Sequence, residues 1–201
     1  MKKQVYISAD YSEDDGDRAV VDVLKGWAED KLHKVDFIDM AEAKSGSVTD
    51  DPDCRACDLK LEFNKQINAS SAVIIIVGDK TASRKAGSNC SRCENEQDEC
   101  SCTPYKKNAD GSKDCKVRFI RETSPEEDFG EVNPYSYIQH EFEQAKKKNK
   151  QIVVVYNAER KEPNWMPSYM TGYEDVAVPF WLNKEQGEGD YEMIKEALGY
   201  D

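Results

Sequence analysis

The chain has 201 residues, which supports one domain with a small insertion. Its formal net charge of −12 excludes non-specific nucleic-acid binding and attachment to an anionic membrane surface. Hydrophobic residues make up 38%, yet no apolar run approaches the roughly 18 residues that span a bilayer, and the apolar stretch after Lys2-Lys3 is too brief for a signal peptide, so a soluble cytoplasmic protein is expected.

Val5-Tyr6-Ile7-Ser8 reads as a first strand, short and β-rich. Ser12-Glu13-Asp14-Asp15 then supplies N-cap candidates, and Val20, Val21, Leu24, Trp27 and Ala28 recur at helical spacing. Val35–Ile38 is a second strand. A Ser, Gly and Asp-rich loop is expected from Ala41 to Asp53, before a helix marked by Leu59, Phe63 and Ile67. Ala72–Val77 is apolar throughout, which implies a strand covered on both faces. Ile138–Lys148 reads as a helix whose last lysines complement its dipole, and Ile152–Tyr156 as another apolar strand. Val176–Trp181 is a weaker strand that Pro179 confines to an edge, and Tyr191–Leu198 a closing helix. The alternation predicts an α/β domain with a five-stranded parallel sheet flanked by helices, and five strands suit the flavodoxin-like order 2-1-3-4-5. In that order ligands bind beyond the carboxyl ends of strands one and three, here Ser8-Ala9-Asp10-Tyr11 and Gly78-Asp79-Lys80-Thr81.

Glu141 stands out on the helix before strand four. Ile138, Phe142 and Ala145 form the apolar stripe, and Glu141 falls at its edge, one turn after Tyr137. Its i+4 neighbour is Ala145, whereas Glu143 has Lys147 at that spacing. A carboxylate at a core boundary needs a partner. An ordinary boundary glutamate bonded to backbone or to a distant lysine is the plain alternative. His140 points about 100° away from it around the helix, so the two do not form a dyad.

Between Ala82 and Asn133 the chain is polar, charged and Cys-rich, with Val117–Ile120 as its one short strand candidate. That is too long for an ordinary connection and reads as an insertion beside the expected crevice. All seven cysteines fall between Cys54 and Cys115: Cys54-x-x-Cys57, Cys90-x-x-Cys93, Cys100-x-Cys102 and Cys115. Two C-x-x-C pairs signal structural zinc, because each presents two thiolates to one tetrahedral ion. Either both pairs share an ion, or Cys90, Cys93 and two of the remaining three close a local site; reduced thiols or disulfides are the alternative. The chain has neither a phosphate-cradling glycine loop nor a nucleophile elbow.

Three segments together resemble a TIR-like domain, and within that superfamily the bacterial TIR-like proteins of the Thoeris anti-phage system. Val5-Tyr6-Ile7-Ser8-Ala9-Asp10-Tyr11-Ser12-Glu13-Asp14 is similar to the family's opening strand and loop. Asn68-Ala69-Ser70-Ser71 followed by Ala72–Gly78 is similar to its third strand. Tyr137-Ile138-Gln139-His140-Glu141 has the spacing of its W-x-x-x-E motif, with Tyr137 in place of the tryptophan. The resemblance implies that Glu141 is the catalytic glutamate of NAD cleavage at the nicotinamide–ribose bond. It implies that Ser8, Asp10, Tyr11, Asp79 and Tyr137 line the NAD site. It further implies a cyclic or conjugated ADP-ribose signal that activates an effector protein, and self-association into a homo-oligomer. Two other functions fit the same layout: a non-catalytic TIR-like interaction module, and a nucleoside deoxyribosyltransferase-like enzyme.

Overall fold

The computed structural model describes residues 3–11, 16–29, 35–39, 52–84, 106–107, 113–114 and 136–199. Five segments form one wholly parallel sheet: β1 (Lys3–Ser8), β2 (Val35–Asp39), β3 (Ala72–Val77), β6 (Gln151–Tyr156) and β7 (Val178–Pro179), ordered β2-β1-β3-β6-β7. Four are full strands, and β7 adds two residues at one edge. Two small antiparallel ladders lie outside it, β4 (Lys106–Lys107) with β5 (Lys113–Asp114), and β8 (Trp181–Asn183) with β9 (Glu188–Gly189). The helices are α1 (Arg18–Glu29), α2 (Pro52–Ala69), α3 (Tyr137–Lys147) and α4 (Tyr191–Ala197).

Every residue of β3 is buried, and its side chains alternate between two cores. Ile74 and Ile76 join Val5, Ile7, Val153 and Val155 against Val20, Val21 and Leu24 of α1 and Ile194 of α4. Val73, Ile75 and Val77 join Tyr6, Val154 and Tyr156 against Phe63 and Ile67 of α2 and Ile138, Phe142 and Ala145 of α3. An apolar strand without alternation therefore marks a layer with helices on both sides, as the composition of β3 predicts.

Three expectations are corrected. The second helix starts at Pro52, inside the segment expected to be loop to Asp53; proline is favoured at a first helical position, where its missing N–H has no helical partner in any case. The strand expected over Val176–Trp181 splits: it leaves the sheet after Pro179, which has no N–H to give to the ladder, and resumes as β8. Glu143 pairs with Lys146 at 3.9 Å rather than with Lys147, the Lys146 ammonium lying 5.1 Å from the centre of the Phe142 ring. Lys146 and Lys147 do occupy the last turn of α3, and the chain turns at Asn149 with φ of +51°. The N-cap candidates Ser12 to Asp15, the short strand at Val117–Ile120 and most of the Cys-rich segment lie outside the described residues. Among the described residues, no helix is long and apolar enough to cross a membrane.

Candidate active site

Strand alternation puts Tyr6 and Ser8 on the same face of β1, both fully buried. Helix α3 crosses that face. Its start is set by Ser136, whose hydroxyl accepts the Gln139 N–H at 3.0 Å, an ordinary N-cap. With Ile138, Phe142 and Ala145 facing the sheet, Glu141 is carried over the carboxyl end of β1. The Tyr6 hydroxyl donates to Glu141 Oε1 at 2.8 Å, and the Ser8 hydroxyl donates to Oε2.

Glu141 is only 4% exposed, so it lies inside the helix–sheet layer and not at the stripe's edge as its position along the helix predicts. The two hydroxyls make that burial tolerable, because each carboxyl oxygen has a donor. Burial nonetheless pushes its pKa up to about 8, against the smaller downward pull of the Ser8 and Tyr6 hydrogen bonds. Each oxygen retains a further lone-pair direction, so the carboxyl group can still accept from a ligand.

The other expected site residues divide. Ser8 is bonded to Glu141 and does not line an open crevice, because its strand position is covered by α3. Asp10 follows β1 and is paired with Arg84 through the guanidinium Nε. Tyr11 is half-buried and packs against both cores. Tyr137 is half-buried too, its ring meeting Phe63 edge-on at 5.6 Å and 86°. Asp79 is exposed in the turn after β3. His140 is buried and bonded through Nε2 to Asn64 Oδ1 at 2.9 Å, a core role. Cys54 and Cys57 stand three apart in the first turns of α2; Cys90, Cys93, Cys100, Cys102 and Cys115 lie outside the described residues. Among the described residues no group of three or more His, Cys, Asp or Glu is placed to hold a metal.

Sequence reasoning missed a second buried acid. Asp17, 2% exposed, precedes α1, and its backbone carbonyl accepts from Val20 and Val21. Its side chain turns the other way, accepting from the Asp10 N–H at 3.1 Å and from Asn157 Nδ2 at 2.9 Å; Asn157 Oδ1 in turn accepts from Trp181 Nε1 at 2.8 Å. The residues following β1 and β6 are thus tied together around one carboxyl group. Burial raises the Asp17 pKa to about 6, the Asn157 and Asp10 hydrogen bonds pulling it back and the Asp10 charge adding to the rise. The available signal was Gly78, the small residue that ends the apolar run of β3. A Cβ there would come within 2.7 Å of Asp17 Oδ1.

Gly78→Ala is therefore expected to destabilise the fold by about 1–3 kcal/mol, because the pinned carboxyl group cannot retreat without losing its partners. Gly26→Ala, in α1 with open space around the new methyl, is expected to stabilise by about 0.5–1 kcal/mol. Urea unfolding of both variants checks the contrast, and a neutral Gly78→Ala would mean that Asp17 is loosely held.

The residue that only the coordinates bring to Glu141 is Tyr6, which reads in sequence as a strand former. No protein-family model matches this chain, and a search of curated proteins also finds no match.

Proposed function

We propose that this chain is a TIR-like enzyme that cleaves NAD between nicotinamide and ribose, with Glu141 as its catalytic carboxylate. One observation carries the reading: a buried glutamate, each of whose carboxyl oxygens accepts from a hydroxyl, of Tyr6 and of Ser8, sits over the carboxyl end of β1. The parallel sheet ordered β2-β1-β3-β6-β7, with helices on both faces, supports a flavodoxin-like, TIR-like fold, in which that end is where ligands bind.

Departure of nicotinamide leaves an oxocarbenium-like charge on the ribose, and a fixed carboxylate in a dry site stabilises it far more than water would. Tyr6 and Ser8 orient the carboxyl group. Asp10 and Tyr11 position the dinucleotide, Asp79 stands at the rim, and Tyr137 borders the ring. With a pKa of about 8 the free carboxyl group is mostly protonated near pH 7. The positive nicotinamide ring of NAD favours the ionised form, so substrate binding draws the proton off.

The resemblance extends the proposal to a cyclic ADP-ribose-derived signal, an effector protein activated by it, and a role in anti-phage defence. A structural zinc, held either by Cys54, Cys57, Cys90 and Cys93 or by Cys90, Cys93 and two of Cys100, Cys102 and Cys115, would staple the insertion and takes no part in the chemistry. A zinc assay of the purified chain decides that point.

The near-complete burial of Glu141 also supports a second reading, a TIR-like interaction module in which this acid is structural. Nicotinamide release from NAD separates the two. Turnover of deoxynucleosides with NAD left intact would instead indicate the deoxyribosyltransferase-like enzyme.

A further inference from the structure

Asp17 holds both backbone polar groups of Asp10. Its N–H donates to the Asp10 carbonyl at 2.7 Å, and its carboxyl Oδ2 accepts from the Asp10 N–H at 3.1 Å. Oδ1 accepts from Asn157 Nδ2 at 2.9 Å. Asn157 is itself fixed at the end of β6, its backbone N–H donating to the Val77 carbonyl at 3.0 Å and its carbonyl accepting from Lys184 Nζ at 3.1 Å. Beyond it, Trp181 Nε1 donates to Asn157 Oδ1 at 2.8 Å. The Asp10 side chain pairs with Arg84, in the segment that follows β3.

These hydrogen bonds have a direction. An indole nitrogen can only donate, so Asn157 presents its oxygen to Trp181 and its amino group to Asp17. The Asp10 N–H can only donate as well. Two donors therefore converge on Asp17 from opposite ends, and a carboxylate answers both. A side-chain amide has one oxygen, so asparagine in place of Asp17 would satisfy one loop and turn its amino group toward a donor of the other. Asp17 is buried, so water does not replace the lost bond. Glu141 is held separately, by Tyr6 and Ser8. We infer that Asp17 is a positioning residue: it sets the loop after β1, with Asp10 and Tyr11, against the loop after β6, at the end of the sheet where the proposed dinucleotide site lies. The inference rests on the NAD reading above.

The test uses NAD as the probe and initial rates of nicotinamide release as the readout, at about pH 9, where both buried acids are mostly ionised. Asp17→Asn is expected to raise KM about tenfold and to keep kcat within about twofold, because binding contacts shift while Glu141 stays in place. The double variant Asp17→Asn, Trp181→Phe is expected to recover most of that loss. With the indole gone, the Asn157 amide can turn over and accept from the new amide, whose own oxygen is then free for the Asp10 N–H. A merely structural role would move stability, followed by urea unfolding, and leave KM alone. A KM for Asp17→Asn within about twofold of wild type overturns the inference. So does a fall in kcat alone, a folded double variant that keeps the raised KM, or an Asp17→Asn chain that does not fold. Should the double variant not fold, the KM of Asp17→Asn decides. Wild type that neither releases nicotinamide nor shifts its thermal midpoint with NAD removes the NAD reading and this inference with it; wild type that turns over NAD while Asp17→Asn keeps its KM removes this inference alone.

Discussion

Glu141→Gln is expected to lower nicotinamide release from NAD by about 10²–10³-fold while leaving the chain folded. The magnitude is that of removing one preorganised electrostatic group from a water-poor site. Glutamine keeps the shape and can still accept from Tyr6, and its amide can donate to the Ser8 hydroxyl, so the packing of α3 on β1 persists. What it lacks is the negative charge that meets the developing cation. In the wild-type chain, kcat/KM should rise with pH and level off above about 8, because that profile reports the free enzyme's essential group and Glu141 must ionise. Equal rates for wild type and Glu141→Gln would take the residue out of the mechanism. A pH profile without that limb would mean that another group controls the chemistry.

The second large effect is on stability, and its sign runs opposite to that of a salt-bridged acid. The folded pKa of Glu141 lies at about 8, above its ordinary value of 4.5, so between those two values the native state binds more protons than the unfolded chain. Stability then falls as pH rises from about 4.5 to about 8 and is flat beyond. Taken whole, that span corresponds to about 3–5 kcal/mol. Asp17 adds a smaller fall in the same direction between its ordinary 3.8 and about 6. Urea unfolding from pH 4.5 to 9 measures the sum. The same series on Glu141→Gln isolates the glutamate, because the variant should lose most of the slope above pH 6. Parallel curves for the two proteins would show that Glu141 ionises as an exposed residue does. The Glu141→Gln variant should accordingly be more stable than wild type above pH 8 while losing catalysis, which is the pattern expected where function retains a strained charge.

The layout of the domain was legible because apolar periodicity depends on which faces are covered. β3 has no polar residue and proves to lie between two cores, and the stripe Ile138, Phe142, Ala145 marks the buried face of α3. Glu141 was legible as an anomaly on that stripe, since a charge beside core positions demands an explanation. Its partners were not. Tyr6 and Ser8 precede it by 135 and 133 residues, and only the placement of α3 across β1 turns two unremarkable strand residues into its donors. Asp17 escaped notice for the same reason. Its neighbours Asp10, Gly78 and Asn157 follow three different strands, and they meet because parallel strands bring their carboxyl ends to one edge.

From residues alone came the alternation of strands and helices, the central position of β3, the edge character of Pro179 and the choice of Glu141. These depend on local periodicity and on the chemistry of single side chains, both of which a linear chain displays. The tertiary structure decided that Glu141 is enclosed instead of facing a crevice, that its oxygens are held by Tyr6 and Ser8, and that Asp17 gathers Asp10 and Asn157 around its own carboxyl group. Those facts follow from how helix, strand and loop pack across long sequence separations, and burial, hydrogen bonding and pKa all arise from that packing.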